Sequence, residues 1–404
     1  MSATIAKNDD RYILISADCH AGASIDGYRE YLDPKYRDAF DAWRKSYRNP
    51  SREHLGGKKT KSWDSGERIR DMERDGGVVG EVVFPNTVPP FFPTGVFVSP
   101  PPGPEDFELK LAGIRAHNRW LAEWCAEVPE RRAGVGLVLL NDIDETIKDV
   151  RFIAEHGLRG GAFVPGVPDD AKHIKPLYAP DYDRLWAVMQ DLGVIVSQHP
   201  ATGGPDYGRY PAANPIWVSE MVFFSKRGFS HLILSGVFER FPKLRYVLTE
   251  SGCAWVPAVL AQLDGLHARM QTGSSGEVDF SRDHVLKETP SFYARRNCWY
   301  GASFASPSEI RGREVVGVDR ILWGSDYPHY EGTYPYTKEA LRHTFANVDP
   351  REVRMMLGGN AARLYGFDLD KLAACAAKVG PTRAEIAQPL AEIPRDARSP
   401  AFAA

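Results

Sequence analysis

Cysteine is scarce: five in 404 residues, at Cys19, Cys125, Cys253, Cys298 and Cys375, with no CxxC spacing. That argues against a disulfide framework and against a structural zinc knuckle. Each cysteine reads instead as a small buried hydrophobe. Basic charge is not in excess either, with 50 Lys and Arg against 53 Asp and Glu and a formal net charge of −3. Nothing therefore suggests a nucleic-acid footprint. No apolar run approaches the ~20 residues of a membrane helix. The amino terminus, MSATIAKNDDRY, lacks the basic-then-apolar pattern of a signal peptide. The expectation is a soluble cytoplasmic protein that binds neither nucleic acid nor membrane. What is present is a 43% apolar, 25% charged chain, a composition that fills a core and disfavours disorder.

Along the chain, β-branched apolar runs alternate with segments of helical spacing. Strand-like runs fall at Tyr12–Ala17, Gly80–Phe84, Ala133–Leu140, Gly160–Val164, Gly193–Ser197, Leu244–Leu248, Cys298–Ala302 and Ile321–Trp323, eight in all. Glu108–Glu127, Asp142–His156 and Asp181–Leu192 place apolar residues on one face of a 3.6-residue period. Alternation of this length predicts a parallel α/β architecture, and eight units predict a (β/α)8 TIM barrel. A doubly wound open sheet is the competing arrangement, weakened by the lack of a GxGxxG turn after the first strand.

Three long irregular stretches interrupt the alternation: 33–70, charged and aromatic; 85–104, rich in proline and phenylalanine; and 201–217, rich in Gly, Pro and Tyr. In a barrel, long βα loops build the active-site face. We therefore expect one barrel over 1–367 carrying these insertions, followed by a partly helical tail over 368–404. Trp63, Phe91, Phe92, Tyr207, Tyr210 and Trp217 are candidates to line an apolar substrate pocket, although aromatics at such positions more often pack in cores.

Chemistry gathers where the strands end. In Asp18-Cys19-His20 the outer two residues share a strand face and can offer a carboxylate oxygen and an imidazole nitrogen to one divalent ion. A salt-bridged Asp beside a capping His would look the same. His199 closes a short apolar strand before Pro200, where backbone hydrogen bonding is the plainer account. Glu250 stands before a turn and a helix, where a dipole-stabilising acid is expected anyway. Asp326 ends the buried run Ile321–Asp326, and a buried carboxylate is costly without a partner. One metal site explains all four together.

At these residues the chain resembles the amidohydrolase-related branch of the amidohydrolase superfamily, metal-dependent (β/α)8 enzymes that include decarboxylases of aromatic and muconate acids. The resemblance runs from about Ile13 to Phe367 and is carried by ISADCH, GVFERFPKLRYVLTESG and ILWGSDYPH. It implies Asp18, His20, His199 and Asp326 as metal ligands. The ion implied is Zn first, with Mn or Fe as alternatives, in one or two copies. Two departures stand out. Asp18 replaces the usual first His or Glu, making the site richer in oxygen. Glu250 replaces the catalytic His of the decarboxylases.

The second departure favours hydrolysis: a metal-dependent hydrolase acting on an amide, ester, thioester or lactone, with Asp326 as general base and Glu250 as a second acid/base or bridging ligand. The alternative is a non-oxidative decarboxylase or hydratase of an aromatic or conjugated acid. A barrel that only binds a ligand is disfavoured by the intact His20, His199 and Asp326. His329 would meet the substrate or support Asp326. His231, Asn118, Asn360 and Arg363 read as structural, and an arginine at 295 or 296 could clamp a carboxylate. The partners expected are a small-molecule substrate and a second copy of the chain.

Overall fold

The computed structural model describes residues 10–48 and 59–403, so 49–58, inside the first long insertion, lie outside the described residues. Eight strands form one sheet: β1 (Leu14–Ala21), β2 (Val78–Pro85), β3 (Arg132–Leu137), β4 (Gly161–Phe163), β5 (Val196–Gln198), β6 (Tyr246–Leu248), β7 (Cys298–Ser303) and β8 (Ile321–Gly324). Neighbours pair in parallel and strictly in that order. An order without reversal removes the doubly wound sheet, which must reverse at a switch point.

The sheet closes on itself at the β8–β1 seam. The Asp326 N–H donates to Asp18 O at 2.9 Å and the His20 N–H donates to Tyr327 O at 2.7 Å. The Ser325 N–H donates to Ser16 Oγ at 2.8 Å. The fold is the expected TIM barrel.

Two apolar shells hold it. Ile15, Ala17, Val135, Phe163, Val247 and Leu322 come from strands on all sides and share one buried cluster, which only the barrel interior allows. Leu14, Cys19, Ala162, Leu248, Tyr300 and Trp323 pack in the other, beneath the helices. This inside–outside alternation makes strand runs apolar on both faces.

β1 starts and ends later than expected, and it breaks the alternation once. Ser16 pairs with Glu81 but Cys19 pairs with Val83, so two residues of β1 oppose one of β2. Such a bulge re-aims side chains. It turns Asp18 to the inner side directly after Ala17, with Cys19 outside and His20 inside.

At the last long insertion the chain becomes helical sooner than the sequence suggested. The helix Ala213–Leu234 takes in the segment up to Trp217. Pro215 is tolerated there because it sits in the first turn, where N–H groups have no helical acceptor. Beyond the barrel, Leu369–Val379 forms a helix that buries Leu372 and Ala376.

Strand ends bend sharply. Ala201, Glu250, Phe304 and Asp326, each just past a strand, have φ of 71°, 50°, 42° and 58°. Non-glycine residues rarely adopt that left-handed region.

Candidate functional site

Each candidate ligand is aimed by a specific neighbour. His20 Nδ1 lies 3.0 Å from Pro85 O; a carbonyl only accepts, so Nδ1 carries the hydrogen and Nε2 presents its lone pair inward. Asp18 Oδ2 accepts from Ser303 Oγ at 2.6 Å, which leaves Oδ1 facing the centre. β8 can come this close to β1 because position 324 is glycine: a Cβ there would sit 2.6 Å from Asp18 Cβ. His199, past β5, directs Nε2 to Glu250 Oε2 at 2.8 Å and to Asp18 Oδ1 at 3.8 Å. Asp326 Oδ1 lies 3.1 Å from His20 Nε2 and 2.9 Å from His329 Nδ1. The ring of His329 stacks on His20 at 4.0 Å.

The cluster is almost dry: Asp18 is 1% exposed, His20 0%, His199 5% and Asp326 0%. Its electrostatics call for a cation. His20 Nε2 faces carboxylate oxygens of Asp18 at 3.3 Å and Asp326 at 3.1 Å, an arrangement that is repulsive unless a proton or a metal cation lies between. Asp18 Oδ1, His20 Nε2, His199 Nε2 and both Asp326 carboxylate oxygens are buried with no hydrogen-bond partner outside this cluster of imidazoles and carboxylates. Buried polar atoms are otherwise paired. Ligand atoms of Asp18, His20, His199 and Glu250 lie within 4.8 Å of one another, as do those of His20, Asp326 and His329. The donor set of carboxylate oxygens and imidazole nitrogens fits a divalent metal.

Proton affinities reflect the same crowding. Burial works to lower the pKa of His20, but Asp18 and Asp326 outweigh it and raise it well above the ordinary value. His199 is likewise raised, Glu250 overcoming burial. For Asp326 burial pushes upward, yet His329 and His20 hold the carboxyl below its usual range. Glu250 goes the other way: burial raises it first, and Asp326 and Asp18 add to this against His199.

Of the proposed pocket aromatics, Phe92, Tyr207 and Trp217 line a cavity of about 430 Å³, beside Phe97, Phe163 and the Pro100–Pro102 run. Phe91 and Trp63 do not. Phe91 packs on Phe40 and Trp43, and Trp63 rests on the main core while its carbonyl accepts from Trp124 Nε1. Tyr210 is 78% exposed. His329 lines a second cavity, of about 780 Å³, with Lys61, Asn86, Tyr334 and the tail residue Arg398.

His231 meets Tyr178 edge-on. Asn118 bonds both N and O of Leu137, and Asn360 bonds the carbonyls of Val318 and Ile321. Arg296 bonds Asn297 Oδ1 and Phe238 O rather than a strand-end site. Sequence reasoning missed Ser303, Phe97 and Arg68. Ser303 ends β7, the same signal that marked the other four positions.

A closed parallel barrel with imidazoles and carboxylates converging past its strand ends defines the amidohydrolase class of fold. The chain belongs to the amidohydrolase family, whose model matches residues 60–367. It is 28% identical over 270 residues to the gamma-resorcylate decarboxylase of Rhodococcus jostii (strain RHA1), covering 63% of this chain and 76% of that protein. Among solved structures, 5-carboxyvanillate decarboxylase from Sphingomonas paucimobilis superposes with a TM-score of 0.65 at 22% identity, covering 88% of this chain and 100% of the other. Dihydroxybenzoic acid decarboxylase from Polaromonas sp. JS666, with bound manganese and the inhibitor 2-nitroresorcinol, gives 0.61 at 17% identity, over 88% and 97%.

These relatives are named as decarboxylases, which overturns the expectation of a metal-dependent hydrolase. That expectation rested on the absence of a histidine at 250, where Glu250 stands as a buried carboxyl whose pKa burial raises.

Proposed function

We propose that this protein is a metal-dependent, non-oxidative decarboxylase of a hydroxylated aromatic acid. The observation that carries the reading is a cation-seeking cluster set against an aromatic-walled cavity, in a chain related to gamma-resorcylate decarboxylase.

Asp18, His20, His199 and Asp326 would hold the divalent ion, with Glu250 within reach of the first three. When bound, the metal supplies Lewis acidity toward the substrate's carboxylate and phenol oxygens. The oxygen-rich donor set and the manganese of the Polaromonas neighbour put Mn2+ first and Zn2+ second. Tyr207 and Trp217 flank the substrate ring. As the bond between ring carbon and carboxyl carbon breaks, its electron pair stays on the ring carbon. The Glu250 carboxyl gives its proton to that carbon and CO2 departs. Asp326 would supply negative charge at the metal side, and His329, 2.9 Å from its Oδ1, links it to the second cavity. A homodimer belongs to the same reading; Ile216, Val218 and Phe223 of the helix Ala213–Leu234 offer exposed apolar surface for a second copy.

The test is CO2 release from 2,6-dihydroxybenzoate, 5-carboxyvanillate and related acids, before and after chelation. Chelated protein is expected to be inactive and to recover with added Mn2+. Stoichiometrically metal-loaded protein that releases no CO2 from any aromatic acid would refute the reading.

A further inference from the structure

The ring of Phe97 lines the 430 Å³ cavity and packs against the ligand cluster. It stacks on His199 with centroids 4.2 Å apart and planes 19° from parallel, and stands edge-on to His20 at 5.8 Å. Phe163 meets it edge-on at 5.0 Å, at the cavity wall. None of Asp18, His20, His199 and Asp326 lines the cavity. A substrate entering by that route reaches them only if Phe97 moves.

The segment around Phe97 is built for such movement. Its ends are pinned: Tyr47 Oη donates to Pro93 O at 3.3 Å, and Asn141 Nδ2 donates to Pro102 O at 2.7 Å. Between them, Val98 and Ser99 bond back only onto Gly95 and Thr94. Gly95 has open space around it.

We infer that Phe97 is a gate on the ligand cluster: its ring holds the stacking place on His199 that an entering aromatic ring would take over, so every ligand arriving from the cavity must displace it. With Phe97 closed, bulk water is also kept from the ligands. The ligand-displacement half of this inference rests on the decarboxylase reading, whereas the shielding half does not.

The experiment compares wild type, Phe97→Ala and Phe97→Tyr, all metal-loaded. Two quantities are read: the rate of metal transfer to a chelator, and the affinity for 2-nitroresorcinol. An aromatic stacking contact corresponds to roughly two- to tenfold in an equilibrium. Phe97→Ala is expected to surrender metal faster and to bind 2-nitroresorcinol tighter by about that factor, with Phe97→Tyr like wild type. Unchanged chelation rate and affinity in Phe97→Ala would overturn the inference while leaving decarboxylation intact. If wild type releases no CO2 from any aromatic acid, the decarboxylase reading fails, while the chelation rates still decide whether Phe97 shields the ligands.

Discussion

Replacing Arg68 by Met should weaken the barrel at its closing seam. Arg68 is 0% exposed and its partner Glu81 1%. The guanidinium donates to Glu81 Oε2 from Nε at 2.8 Å, to His20 O at 2.8 Å and to Lys61 O at 3.1 Å. It also approaches Tyr327 O at 3.4 Å. His20 and Tyr327 are the seam residues on β1 and just past β8, so one side chain ties both sides. Methionine fills most of the volume, so cavity formation is minor. The loss comes from leaving Glu81 to Arg132 alone, whose Nε stands 3.3 Å away. Breaking a buried ion pair costs about 3–5 kcal/mol. Urea unfolding of the metal-free protein, followed by circular dichroism, should show a loss of about that size with an unchanged slope.

The pH dependence gives the sign. Burial pushes the Glu81 carboxyl up, but Arg68 and Arg132 outweigh it and hold it below its ordinary value. A depressed folded-state pKa stabilises above the unfolded value, and the contribution is lost as pH falls through the folded value. Without Arg68 the depression shrinks, and protonation relieves the buried charge at higher pH. The gap between wild type and variant should therefore narrow on acidification. A loss below about 1 kcal/mol, or a gap that widens as pH falls, would refute the argument.

Three further outcomes concern the chemistry. Glu250→Gln removes the proposed proton donor and should cut turnover by at least about a hundredfold, with metal content unchanged. Because the protonated form of Glu250 is the proposed donor, wild-type rate should fall as pH rises through the Glu250 pKa; stopped-time CO2 assays across pH check this. Asp326→Asn keeps the shape but removes the charge facing His20 and His329. Circular dichroism should be unaltered while metal affinity and turnover both drop, and a variant with full activity would remove Asp326 from the mechanism.

Much of this architecture was legible in the residues. Eight apolar runs separated by helical periods define the barrel, because parallel strands buried on both faces leave no polar alternation to confuse with a half-exposed sheet. His199 and Asp326 stood out because each ends such a run. The β1 bulge was not legible: its two-against-one pairing with β2 depends on the partner strand, and the sequence of β1 alone reads as regular. Phe91 and Phe97 are equivalent in composition, six positions apart in one loop. Only the left-handed turn at Phe91, φ 70°, and the packing of Phe40 and Trp43 send the first into a satellite core while the second faces His199. The hydrolase reading leaned on residue type at 250 and left out the burial of that carboxyl, which only the fold supplies.

The left-handed residues past β5, β6, β7 and β8 bear on how such a protein changes over time. At Glu250 the chain has passed the Gln198–Leu248 pair that ends the β5–β6 register, so the side chain there owes little to strand pairing, whereas Asp326 still holds the β8–β1 seam through its N–H. The rim can therefore exchange one acid or base for another in single steps, imidazole for carboxyl at 250 among them, while the barrel beneath is inherited unaltered.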